Sequence, residues 1–232
     1  KIYLTKKSQT SSMFKPNRSY LDLFPDASRF DIVNTVEIDV GPMDDFINKF
    51  DQPHFIKLDV QGAELEILKG SKQTLKNVLG LEVEVNFKDM YENIPLAHDI
   101  EKFLINEGFF LNDYLNFIRW ERDSHRSFGE VTHGDALFLK TPEKIFEISQ
   151  NLSNPLFLFE NYIKILFIYN KLDLIKKLSE KISDEYNQIL NLNLIISSLE
   201  KKHKRLFFVN RLVNYYTRHL VSKNNLFNHW NI

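Results

Sequence analysis

The sequence predicts a mixed α/β domain over residues 1–141 followed by an all-helical extension over residues 142–232. Three observations carry this. All seven glycines lie between Gly41 and Gly134, and the last proline is Pro155. Strand-and-turn architectures draw on glycine for positive φ and on proline for turns, whereas helices do without both. Short apolar runs alternate with helix-period segments before residue 141, the pattern of strands joined by helical crossovers. The charge divides at the same place, with a net −6 over residues 1–141 and +5 over residues 142–232.

Residues 2–5 and 32–40 read as strands, 14–28 as a loop between them, and 44–50 as a short helix. The mostly apolar run 55–60 fits a buried parallel strand. Gly62 breaks it, and a helix is predicted over 64–77 with Leu65, Leu68 and Leu75 on one stripe. The strand over 79–87 puts Val83, Val85 and Phe87 on one face and Glu82, Glu84 and Asn86 on the other. A second helix, 96–107, gathers Leu96, Ile100, Phe103 and Leu104 on its inner side, with Gly108 at its C-terminal cap. Residues 109–114 and 136–140 complete the sheet as strands, an antiparallel pair at one edge. Farther on, the apolar segments 157–169 and 206–216 read as helix packing, and the basic run Lys201–Arg205 as a solvated helix face.

A chain of 232 residues forms one large domain or two small ones. Its net charge of −1 creates no field that gathers nucleic acid or an anionic membrane. The absence of cysteine excludes a disulfide framework, a thiolate zinc site and a cysteine nucleophile, and agrees with a cytoplasmic location. No run reaches ~18 apolar residues, so no membrane span is expected. Neither a P-loop nor a Gly-x-Ser-x-Gly elbow occurs. His133 and Asp135 share a strand face, and His125 is near in sequence; without a third close ligand no metal site is expected.

The chemistry concentrates at the end of the 55–60 strand, where open α/β sheets bind ligands. Lys57 and Asp59 share one face by alternation. A central strand tolerates charges only when they are paired, so Lys57 is expected to meet Glu82 or Glu84 of the next strand. Asp59 then faces the crevice. Gly62 permits a tight turn, and Glu64 falls in the first helical turn, where the dipole favours a carboxylate. The cluster reads either as a structural ion network or as a ligand-facing site, and the tendency of clustered charges to mark functional sites favours the second.

The run Phe55-Ile56-Lys57-Leu58-Asp59-Val60-Gln61-Gly62-Ala63-Glu64-Leu65-Glu66-Ile67-Leu68-Lys69-Gly70 resembles the signature of the FkbM family of S-adenosylmethionine-dependent methyltransferases. Other segments follow in family order. They are Ser11-Ser12 with Pro16-Asn17, Val36-Glu37-Ile38 with Met43-Asp44-Asp45-Phe46, and Glu82-Val83-Glu84-Val85. Phe87 with Tyr91 and Pro95, Gly108-Phe109, and Gly134-Asp135-Ala136-Leu137-Phe138 continue the order. The resemblance spans about residues 1–141 and lends no support to 142–232.

It implies a class I, Rossmann-like methyltransferase sheet, S-adenosylmethionine as cofactor, and methyl transfer to a hydroxyl of a sugar, glycan or other small-molecule acceptor. Asp59, Glu84 and Glu64 are the expected catalytic carboxylates. Asp59 and Gln61 are the expected cofactor contacts, and Ser12 and Lys57 the expected acceptor contacts. No nucleic acid partner is expected, while the partner of the helical extension and any metal requirement stay open. Class I enzymes cradle the methionine part of the cofactor in a glycine-rich turn, and this sequence contains no Gly-x-Gly. The expectation is therefore a fragment with a partial sheet lacking its N-terminal strand–helix units, which by itself binds cofactor weakly or not at all and is inactive. The alternative is a degenerate, non-catalytic module whose helical tail docks a partner.

Overall fold

A computed structural model describes residues 1–47, 52–123 and 129–205 of the chain. They fall in two compact units, Lys1–Ile145 and a second beginning at Phe146. In the first, β1 (Ile2–Thr5) and β2 (Ile32–Val36) pair antiparallel as a two-stranded ribbon. The loop between them carries a short helix, α1 (Arg18–Leu21), and 3-10 turns at Ser8–Thr10 and Ala27–Phe30.

A five-stranded mixed sheet follows. Its strands are β3 (Phe55–Leu58), β4 (Gly80–Asn86), β5 (Phe110–Tyr114), β6 (Ile118–Trp120) and β7 (Glu130–Leu139). The order is β3-β4-β7-β5, with β6 also on β7; β3 and β4 are parallel and every other pair is antiparallel. The arrangement is consistent with a partial Rossmann-like fold. The antiparallel pair expected at one edge is present as β7 and β5, with β7 the inner of the two, and β6 is additional. One expectation changes here. The 55–60 strand is not central: among the described residues β3 has β4 as its one neighbour, which leaves Lys57 54% exposed.

The helix expected over 64–77 is two helices, α2 (Glu64–Lys69) and α3 (Lys72–Asn77). Asp44 ends the continuity: its carboxylate accepts the Gln73 and Thr74 backbone N–H groups, both at 2.9 Å, and the Thr74 hydroxyl at 2.7 Å. It thereby supplies a new helix start with partners for its free donors. Next, α4 (Ala97–Asn106) closes as expected on Gly108. The Gly108 N–H reaches the Ile105 carbonyl and the Phe109 N–H the Leu104 carbonyl, each at 3.0 Å, and φ at Gly108 is +87°. That is a Schellman stop, which a Cβ would strain.

Strand alternation makes the sheet two-faced. Ile56, Leu58, Leu81, Val83, Val85, Ala136 and Phe138 pack with Leu65, Leu68, Leu75, Ile100 and Leu104 of α2, α3 and α4. The opposite face carries Lys57, Glu82, Glu84 and Asn86, with Asp135 and His133 in register across β7. A second apolar cluster of Leu21, Phe30, Met90, Tyr91 and Ile94 joins the β1–β2 loop to the segment after β4. Backbone bonds from Asn17 to Met90 and from Glu92 to Lys15 pin the two together.

In the second unit the described residues are helical, as expected. Helix α5 (Pro142–Ser149) spans the boundary; α6 (Leu156–Ile168), α7 (Leu172–Ser179) and α8 (Asp184–Ile189) follow, and 192–205 is also helical. Phe159, Tyr162, Leu166, Ile175 and Leu178 bury the facing sides of α6 and α7. The basic run at 201–205 is helical and largely exposed. None of the described helices is long and apolar enough to cross a membrane. The expectations for 206–216, for His125 and for 48–50 lie outside the described residues.

Candidate functional site

Beyond Leu58 the chain reverses into α2 through two successive residues with positive φ, Gln61 at 56° and Gly62 at 102°. Non-glycine residues adopt this region at a cost, and such strain persists where the surroundings hold it. Ser12 does the holding. Its hydroxyl donates to the Gln61 carbonyl at 2.6 Å and accepts the Phe14 N–H at 3.0 Å. Ser12, expected to touch the acceptor, thus has its hydroxyl engaged by backbone. A Cβ at Gly62 would lie 3.0 Å from Ile94 Cγ2 in a backbone conformation that disfavours side chains. Gly62→Ala is therefore expected to cost about 1–3 kcal/mol in urea unfolding; an unchanged midpoint would dismiss the strained turn.

The turn delivers its side chains to the polar sheet face. Gln61 Nε2 lies 3.3 Å from Asp59 Oδ1 and 3.1 Å from Glu84 Oε1. Asp59 and Glu84 therefore stand on one side of the sheet, within reach of one amide. The Tyr91 hydroxyl is 3.0 Å from both Gln61 Oε1 and the Thr10 carbonyl. Lys57 pairs with Glu82 rather than Glu84. Its hydrogen bond to Glu82 holds its ammonium above the usual lysine range.

Burial sets the character of the other two acids. Glu64 is almost fully buried at the start of α2, where Val60 N–H donates to its Oε1 at 2.8 Å. Burial pushes its carboxyl above the ordinary range despite the backbone donors of Val60, Glu64 itself and Gly62, so desolvation outweighs the favourable helix end. Glu84 is 9% exposed. Burial, followed by the charges of Asp59, Glu64 and Asp135, pushes it up to about 8, with Lys57 opposing.

Several neighbours were not among the expected site residues. Asp135 lies opposite Glu84 in the β4–β7 register, and Asn116 clasps it, donating to Oδ2 at 2.6 Å and accepting its N–H at 2.9 Å. His133 lies opposite Asn86; burial draws its imidazole below the usual range. Asn86 is 1% exposed, and its Oδ1 has no hydrogen-bond partner among the described residues. The signal that would have found these residues is the antiparallel β4–β7 register, which sequence spacing does not carry. Among the described residues no group of three or more His, Asp and Glu side chains is arranged to hold a metal ion.

Beside the turn opens a cleft of about 1030 Å³. Val60, Ala63 and Ser12 from the turn and its brace form one wall; Ile38, Val40 and Phe46 are part of the apolar remainder. The carboxylate cluster and an apolar cavity thus flank the same turn.

Residues 1–111 match the protein family described as the methyltransferase FkbM domain. The match takes in Ser12, Lys57, Asp59, Gln61, Glu64, Glu84 and Tyr91 and ends in β5, ahead of His133 and Asp135. No curated protein and no solved structure matches the chain.

Proposed function

We propose, from the match of residues 1–111 to the FkbM methyltransferase domain, that the chain serves S-adenosylmethionine-dependent methyl transfer to a hydroxyl of a small-molecule acceptor, such as a sugar or glycan. The observation that carries the reading is the pairing of exposed Asp59 with buried Glu84 around the Gln61 amide. A hydroxyl is a weak nucleophile and must give up its proton as it attacks. A carboxylate pushed up to about 8 is matched to that task near neutral pH, because a base works best when its pKa lies near the working pH. Glu84 is assigned as the proton acceptor.

The residues present fit the cofactor in part. Its cationic and hydroxyl groups suit the Asp59 carboxylate and the Gln61 side chain, and the flat faces of its adenine ring suit the apolar cleft beside the turn. No Gly-x-Gly turn in this sequence matches its methionine part. When bound, the cofactor supplies an electrophilic methyl group. Asp59 and Gln61 would hold it, Glu64 and Ser12 fix the turn that presents them, and Lys57 neutralises Glu82. Holding two partners in line is the larger share of the protein's contribution.

The test follows label from methyl-labelled cofactor into a panel of hydroxyl compounds. Glu84→Gln is expected to lower transfer about a hundred- to ten-thousandfold, and Asp59→Asn to weaken cofactor binding in calorimetry. Full activity in Glu84→Gln would refute the assignment of the base. The absent Gly-x-Gly favours a second reading, a non-catalytic methyltransferase-like module whose helical extension binds a partner. Tight binding of S-adenosylmethionine by the wild-type chain would exclude it.

A further inference from the structure

We infer that Gln61 and Tyr91 are positioning residues for Asp59 and Glu84: the Tyr91 hydroxyl, shared with the Thr10 carbonyl, anchors the carbonyl end of the Gln61 amide while its amino end faces the two carboxylates. Gln61 has a carbonyl end and an amino end of the same shape, and only the amino end can donate. With Nε2 toward Asp59 and Glu84, at 3.3 and 3.1 Å, both carboxylates receive an N–H. Reversed, the amide would place its oxygen against theirs. The Tyr91 hydroxyl has one proton and two acceptors at 3.0 Å, Gln61 Oε1 and the Thr10 carbonyl; shared between them, it still places donor character where the Gln61 carbonyl lies and adds to the preference that the two carboxylates set for the first orientation.

Both residues are built to hold still. Tyr91 is 0% exposed, packs edge-on against Phe30 at 5.9 Å, and its backbone bridges to Pro16. The Gln61 backbone is clamped in its positive-φ conformation by the Ser12 hydroxyl. Four features thus converge on one amide: a strained turn, a serine clamp, a buried phenol and two carboxylates. A bridge made only to hold β3 against β4 does not need that set, since Lys57–Glu82 already does so. The choice of an amide also has a chemical meaning. A lysine or arginine at this point would hold Glu84 ionised, whereas a neutral donor orients it and leaves its proton exchangeable.

The charged groups around Glu84 are Lys57 and Asp59 of the β3 end, Glu64 of α2 and Asp135 of β7, and none is altered in the test. The inference builds on the reading of Asp59 and Glu84 as the acceptor-facing carboxylates. Its test needs neither acceptor nor cofactor, so the two fail separately. The full chain is labelled with glutamate carrying ¹³C at Cδ, the Glu84 signal is identified from its loss in Glu84→Gln, and its titration midpoint is measured. In Tyr91→Phe the amide loses its anchor and the ionised carboxylate its donor. The midpoint is expected to rise about 0.5–1 pH unit, a three- to tenfold fall in the acid dissociation constant. Gln61→Asn, which keeps a residue at ease with positive φ but is too short to bridge, is expected to raise it equally. The double variant should show no further rise. A midpoint unmoved in either single variant, or two shifts that add, would overturn the inference; if Tyr91→Phe fails to fold, an unmoved midpoint in Gln61→Asn still overturns it.

Discussion

Replacing Glu84 by glutamine is expected to make the protein more stable at pH 8.5 and to change it little at pH 4. The folded chain holds the Glu84 proton up to about 8, where an ordinary glutamate gives it up near 4.5. Between those values the folded state binds a proton that the unfolded state has released, so stability falls as pH rises through the window. It is fully present below 4.5, declines toward 8, and stays at its reduced level above. The gap corresponds to a penalty on the order of 3–5 kcal/mol at pH 8.5, from burial reinforced by the charges of Asp59, Glu64 and Asp135. Glutamine keeps the shape and an acceptor for Gln61 Nε2 but never ionises. For a chain of this size the gain amounts to roughly 10 °C in melting temperature. Thermal unfolding of both proteins at pH 5 and 8.5 reads it directly, and parallel pH dependences would remove the penalty. A variant at once more stable and unable to transfer methyl groups would mark Glu84 as retained for chemistry at the expense of the fold.

Much of this arrangement was legible in the sequence because local rules decide it. The alternation of Glu82, Glu84 and Asn86 with Val83, Val85 and Phe87 follows from the strand period, and it put both glutamates on one face. The Gly108 cap follows from the need for a residue without a Cβ at positive φ. That Lys57 meets a glutamate of the next strand follows from the cost of an unpaired charge, and the parallel register then selects Glu82 over Glu84. What was not legible depends on contacts far apart in sequence. The break between α2 and α3 comes from Asp44, about thirty residues upstream, which offers Gln73 and Thr74 a better partner than a continuous helix does. The company of Asp135 and His133 comes from β7 returning antiparallel between β4 and β5. Gln61 was expected only as a cofactor contact; its part as a bridge appears once Tyr91 and Glu84, 30 and 23 residues away, are seen around it.

A second large effect is expected at Lys140, whose place after an apolar strand gave no hint of it. Lys140 is 3% exposed. Its ammonium donates to the Leu75 carbonyl at 3.1 Å and the Lys76 carbonyl at 2.7 Å, and lies 5.0 Å from the Phe109 ring centre. These carbonyls end α3, where backbone acceptors lack intrahelical partners and a cation meets the negative end of the helix dipole. The side chain therefore latches α3 to the end of β7. Lys140→Ala removes the buried stem and leaves two carbonyls without their donor, a loss of about 3–4 kcal/mol in urea unfolding at pH 7. Lys140→Met keeps the stem and removes the buried charge, so it should lose less than half as much. Equal losses would place the whole effect in the hydrogen bonds, and no loss in either would dismiss the latch. The pH dependence runs opposite to that of Glu84. Burial, then the nearby Lys144, draws Lys140 down from 10.5 to about 8. Between about 8 and 10.5 the unfolded chain binds a proton the folded chain has released, so stability rises with pH. Wild type should therefore gain on Lys140→Met above pH 8, in the same range where the Glu84 penalty has already levelled off.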